Sequence, residues 1–115
     1  MKLEEGMYVR YKSHYRKGKY LISKLEEIMP ADDVVHIDTY YLENRDVCLK
    51  QDFKKASHKI IDLIEVGDYV NGFRVVYINH KYEYLEVSDE EYIINKEDIK
   101  SIVTKEQFES MSYKI

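Results

Sequence analysis

The sequence predicts an all-β protein with minor α content: two tandem β-modules and a short C-terminal helix. The first observation is a repeated frame. Leu3-Glu4-Glu5-Gly6-Met7-Tyr8-Val9-Arg10 returns as Ile64-Glu65-Val66-Gly67-Asp68-Tyr69-Val70-Asn71, an apolar residue, Glu, a variable position, Gly, another variable position, then Tyr-Val. A closing echo follows each copy, in Gln51-Asp52-Phe53-Lys54 and Glu97-Asp98-Ile99-Lys100. The second observation is compositional: twelve tyrosines, no tryptophan, four glycines and one proline, a supply that suits half-buried strands. The third is a single helix-start signal, Thr104-Lys105-Glu106-Gln107, with the spacing of a capping box. The modules are placed at residues 1–60 and 61–115. Each is too small to bury a thick core by itself, so the two are expected to pack together.

The elements follow in order. Residues 7–12 form a strand entered through Gly6, and Ser13 to Gly18 a basic loop. Lys19 to Ile28 continues as a strand, with a helical turn over Lys24–Ile28 as the alternative because the apolar spacing changes there. After the break at Met29–Asp33, Val34 to Leu42 is β-branched and aromatic and is expected as one strand containing His36. A turn around Asn44 leads to a short strand at Val47–Leu49, a helical turn over Lys50–Lys55 and a last strand over Lys59–Ile64. In the second module Asn71-Gly72 signals a type I′ turn, since both positions tolerate positive φ. Phe73–Asn79 and Tyr82–Val87 make a hairpin, and an acidic turn leads to a strand over Tyr92–Ile94. A helical turn over Lys96–Lys100, a strand over Ser101–Val103 and a helix over Lys105–Met111 complete the chain. Tyr8, Tyr20 and Tyr69 are expected to point inward. The order of strand, hairpin, short strand, helical turn and strand resembles that of small SH3-like β-barrels, which host unrelated functions.

Composition and motifs exclude more than they assign. No run approaches the roughly 18 apolar residues of a membrane span, and the acidic start lacks a signal peptide's apolar core, so a cytoplasmic protein without membrane contact is expected. No Gly-rich phosphate loop is present, and His14, His36, His58 and His80 lack metal-ligand spacing. Cys48, the only cysteine, lies between Val47 and Leu49 and reads as a buried, inert thiol. No catalytic residue, cofactor or metal is implied.

Charge is unevenly placed. The net charge is −4, yet residues 8–24 carry six cations and no acid, interleaved with Tyr8, Tyr11, Tyr15 and Tyr20. Cations between aromatics can hold phosphates and stack bases, which marks Arg10, Lys12, Tyr15, Arg16, Lys17 and Lys19 as candidate binding residues. The turn acids Asp89, Glu90 and Glu91 are the complementary candidates, suited to a basic partner. Exposed sheet edges offer a third way of pairing with a partner.

Two phrases, residues 60–72 and 99–109, are similar to segments of small uncharacterised phage and prophage proteins of Gram-positive bacteria, as is the Gly6–Val9 opening. The resemblance implies an origin in a mobile element and assigns neither activity nor site residues. Together with the absence of a catalytic constellation, it leads to an expected non-catalytic binding protein in an infected or lysogenic host. The expected partner is a host protein such as a defence nuclease, and the expected effect inhibition of antiviral defence (an anti-CRISPR or similar). The alternatives are a nucleic-acid or nucleotide-binding module using residues 8–24, and a structural phage accessory protein.

Overall fold

A computed structural model describes residues 2–15, 19–88 and 92–111. The first sheet contains β1 (Tyr8–Lys12), β2 (Tyr20–Met29), β3 (Thr39–Leu42), β4 (Val47–Cys48) and β5 (Phe53–Ser57), in the order β4-β3-β2-β1-β5. The second contains β6 (Tyr69–Val70), β7 (Phe73–Asn79), β8 (Tyr84–Val87), β9 (Ile93–Asn95) and β10 (Ile102–Val103), in the order β10-β6-β7-β8-β9. Read from the other edge, the second order is the first again: four strands in a meander, with the fifth returning beside the first. All ladders are antiparallel. A 3₁₀ turn precedes each returning strand, at Lys50–Asp52 and Lys96–Asp98, and helix α1 (Lys105–Met111) ends the described chain. Among the described residues the outer strands of each sheet do not pair with each other, so the sheets are open rather than closed into the expected barrels.

The repeat extends to individual hydrogen bonds. Gly6 N donates to Leu25 O and Leu25 N to Met7 O; Gly67 N donates to Val75 O and Val75 N to Asp68 O. Gly6 and Gly67 stand at φ +90° and +100°, a backbone conformation costly to any residue with a Cβ. The register slips at one equivalent place in each copy, after Leu25 in β2 and after Val75 in β7. The copies differ in their connections. Asn71-Gly72, with φ of 53° and 87°, replaces the long first hairpin loop and is the expected type I′ turn.

Two apolar clusters lie in these frames. Val9, Tyr11, Leu21, Leu25, Tyr40, Leu42, Cys48 and Phe53 form the first. Ile61, Ile64, Val70, Val75, Leu85, Val87 and Ile94 form the second. Full burial of each aliphatic side chain contributes about 1.5–3 kcal/mol.

β2 is strand throughout, as expected, and the alternative helical turn at Lys24–Ile28 does not form. Other expectations are corrected. The strand expected from Val34 begins only at Thr39. Asp32 Oδ1 accepts from Val34 N and Val35 N at 2.8 and 2.6 Å, so a side-chain turn takes donors that a ladder would need, and His36 is left exposed. The returning strand of the first sheet is β5, not Lys59–Ile64, and the helical turn before it stops at Asp52. Ile60–Leu63 is a second 3₁₀ turn, with Ile61 and Leu63 buried. Tyr8, Tyr20 and Tyr69 are only half-buried; Val9, Tyr11 and Val70 take the inward positions instead.

Candidate functional site

β1 is buried on both faces. Val9 and Tyr11 enter the first core, so alternation turns Arg10 the other way, toward the second sheet, where it is 0% exposed. Its guanidinium meets Asp68 with both nitrogens: Nη1 donates to Oδ2 at 2.6 Å and Nη2 to Oδ1 at 3.0 Å. Nη1 also donates to Leu63 O at 3.1 Å and Nη2 to Glu106 Oε2 at 3.0 Å. Nε lies 3.4 Å from Glu65 Oε2, close enough for attraction but out of hydrogen-bond alignment. A planar fork matched to a carboxylate is the geometry that suits Arg over Lys here.

The carboxylates are themselves held. Asp68 Oδ2 accepts from Glu65 N at 2.7 Å and Oδ1 from Lys105 N at 2.9 Å, which ties Asp68 to the start of α1. Glu65 gathers Lys105 at 2.8 Å, Lys54 at 3.0 Å and Lys55 at 3.2 Å. Burial pushes the Glu65 carboxyl upward, but hydrogen bonds from Lys105, Lys54 and Lys55 and the charge of Arg10 win and hold it at about 2. This explains why so polar a segment as β5 is a strand: two of its lysines answer the second sheet. Thr104 adds a further tie, donating to Tyr20 O at 2.5 Å while Gln107 N donates to Thr104 Oγ1 and Thr104 N to Gln107 Oε1, the expected reciprocal cap. Tyr69 stacks on Phe108 with centroids 3.9 Å apart.

The basic segment is thereby dispersed. Arg10 is enclosed by carboxylates and unavailable to a solvent phosphate. Lys12 and Tyr15 are exposed, Tyr15 at 68%, and Lys19 is half-buried on the same hairpin, where Ser13 N donates to Lys19 O. Arg16 and Lys17 lie outside the described residues, as do Asp89, Glu90 and Glu91. At its other end, β1 and β2 pair Tyr8 with Lys24. Both line a cleft of about 530 Å³ between the sheets, with Ile22 from the first and Ile99, Lys100 and Ile102 from the second.

The buried polar groups inside the first sheet are structural. Tyr11 Oη donates to Asp46 Oδ2 at 2.5 Å and accepts from Asn44 Nδ2 at 2.6 Å, and Ser13 Oγ donates to the same carboxylate oxygen at 3.1 Å. Burial raises the Tyr11 phenol, so it stays protonated. Burial, with Asp52 and Asp46 nearby, pushes the Cys48 thiol up to about 12, the opposite of a nucleophile's environment. Among the described residues no three His, Cys, Asp or Glu side chains are placed to hold a metal, and no helix is long and apolar enough to cross a membrane.

A third feature lies on the outer face of the second sheet. Tyr77 and Ile93 are 48% and 53% exposed on either side of their common cross-strand neighbour Glu86. Val76 and Tyr92, also exposed, line a shallow groove with Arg74 and Glu86. Regular strand alternation would put Tyr77 on the buried side with Val75; the bulge between them turns Tyr77 outward, so the sequence pattern conceals this face.

The fold and these sites define a predominantly β protein of two like sheets joined by a buried ion network. No protein-family model, curated protein or solved structure matches the chain.

Proposed function

We propose that this is a non-catalytic binding protein of phage or prophage origin that engages a host protein and so inhibits an antiviral defence system, as an anti-CRISPR or similar inhibitor does. The observation that supports engagement of a protein is the outer face of the second sheet. Tyr77 and Ile93 stand in solvent on either side of Glu86, and Val76 and Tyr92 are exposed with Ile93 along a groove that Arg74 also lines. Surfaces that set aromatic and aliphatic groups among a few charges fit protein partners. The Arg10 network supports the reading by holding both sheets as one presenting body. Each sheet is proposed to be SH3-like, on the meander of four strands, the 3₁₀ turn and the fifth strand's return beside the first. The site of action is proposed to be the cytoplasm of the host.

The nucleic-acid reading of the basic hairpin loses its innermost cation, since Arg10 is enclosed, and keeps Lys12, Tyr15 and Lys19. The test uses tagged protein and its Tyr77→Glu/Ile93→Glu form in host lysate, followed by reconstitution with the purified partner and a defence-activity assay. The wild type should retain a protein whose activity falls on binding, and the variant should lose both. Retention of nucleic acid alone, sensitive to salt and to Lys12→Glu, would overturn the reading.

A further inference from the structure

We propose that the cleft between the two sheets is a nucleotide site, with an aromatic base lying on Tyr8 and the phosphate held between Lys24 and Lys100. This does not rest on the engagement of a host protein, which uses a different face. The cleft's volume, about 530 Å³, suits a small molecule. Its walls come from both halves of the chain. Tyr8 and Lys24 are cross-strand partners on β1 and β2, which fixes a ring and an ammonium side by side. Ile22 continues that wall, and Ile99 and Ile102 face it from the second sheet, each half-buried.

The charges select the ligand. Lys96 also lines the cleft but is committed to Glu83, which Lys59 approaches too. Lys24 and Lys100 make no ion pair among the described residues, although the protein as a whole is acidic and offers many carboxylates. Glu43 is the only acid among the residues on the cleft wall. Two unanswered cations beside a half-buried ring and isoleucines call for a molecule that is flat and apolar at one end and anionic at the other. A nucleoside phosphate has that form. A bare anion would leave the ring and the isoleucines unused, and an uncharged aromatic would leave the lysines unused. Stacking of a base on a tyrosine is worth about 1–3 kcal/mol and tolerates any base, so the class is set before the base is.

Calorimetry with AMP, ADP, inorganic pyrophosphate and a short single-stranded DNA tests the site. AMP or ADP should bind saturably at concentrations up to about 1 mM. Lys24→Glu/Lys100→Glu should weaken binding by about tenfold or more, and Tyr8→Leu by about tenfold, as expected for one lost stack. The charge-matched control Lys12→Glu/Lys19→Glu lies at the far end of the β1–β2 ladder, roughly 13 Å away, and should leave it unchanged. Pyrophosphate should bind more weakly than ADP and be indifferent to Tyr8→Leu. Circular dichroism establishes that each variant is folded; should Tyr8→Leu fail, Tyr8→Phe, which keeps the ring, should bind as the wild type does. No saturable nucleotide binding, equal loss in the hairpin control, or DNA binding that AMP and ADP do not displace would each overturn the proposal.

Discussion

Replacing Arg10 by methionine removes the cation while keeping most of the side-chain volume. Asp68, 0% exposed, would retain the backbone donors Glu65 N and Lys105 N but lose both guanidinium bonds. Leu63 O and Glu106 would each lose a partner as well. Removing one member of a buried pair generally costs about 3–5 kcal/mol, because the remaining charge stays desolvated. A chain of 115 residues has roughly 6–17 kcal/mol of total stability, so the change would consume a large share. Asp68→Asn should also destabilise, since its amide nitrogen would face two N–H donors where an oxygen now accepts, and the double variant should be more stable than the sum of the single losses predicts. Urea unfolding followed by circular dichroism and tyrosine fluorescence gives the values. Arg10 also joins the two sheets, so Arg10→Met should separate the transition into two steps. A loss below about 1 kcal/mol with one unchanged transition would refute the account of Arg10 as the joint.

The Glu65 carboxyl, held at about 2 against an ordinary value of 4.5, makes stability depend on acidity. A depressed folded value stabilises above the unfolded value, so up to about 3 kcal/mol present at pH 6 should fade as pH falls from about 4.5 toward 2, and Glu65→Gln should flatten that slope in urea titrations. Thr104→Ala removes the cap and the tie to Tyr20 O; about 1–2 kcal/mol should be lost, with hydrogen exchange rising first in α1. Cys48 should resist a thiol reagent at pH 8 in the folded protein and react only at the rate of unfolding, which stopped-flow modification would measure. Gly67→Ala should destabilise through its φ of +100° and its closeness to the Lys105 side chain, whereas Gly6→Ala meets only the conformational cost because nothing stands near its Cβ position.

The repeat was legible because Gly and the Tyr-Val pair occupy positions set by backbone geometry, and the capping box was legible because its partners are three residues apart. The role of Arg10 was not. Its partners Asp68 and Glu106 are 58 and 96 residues away, and a cation in a polar, tyrosine-rich segment reads by default as solvent-facing. The same long-range network concealed β5, whose lysines look like surface turn residues until Glu65 is placed beside them. Val34 to Ile37 failed in the opposite sense. Their β propensity is real, but Asp32 takes the backbone donors locally, and intrinsic preference gives way. For the cleft, the sequence supplied Tyr8 and Lys24 inside the basic segment but not Lys100, which only the packing of the two sheets brings near.

The two copies differ at the very residues that make the junction between them. Arg10 of the first copy reaches Asp68 and Glu65 of the second, a head-to-tail contact of the kind that could propagate indefinitely if every copy carried both surfaces. The equivalent positions prevent it. In the second copy Asn71 stands where Arg10 stood; it donates to Asp98 O and accepts from Lys100 N and Ser101 N, closing its own sheet instead of reaching outward. In the first copy Met7 stands where Asp68 will be, and a thioether cannot hold a guanidinium. One end has lost the cation and the other the carboxylate. Restoring them together, as Met7→Asp with Asn71→Arg, should therefore convert the chain into a concentration-dependent oligomer in sedimentation velocity, while either change alone should leave its size unaltered. A double variant that sediments as the wild type would show that the junction depends on α1 and the connecting 3₁₀ turn more than on the paired charges.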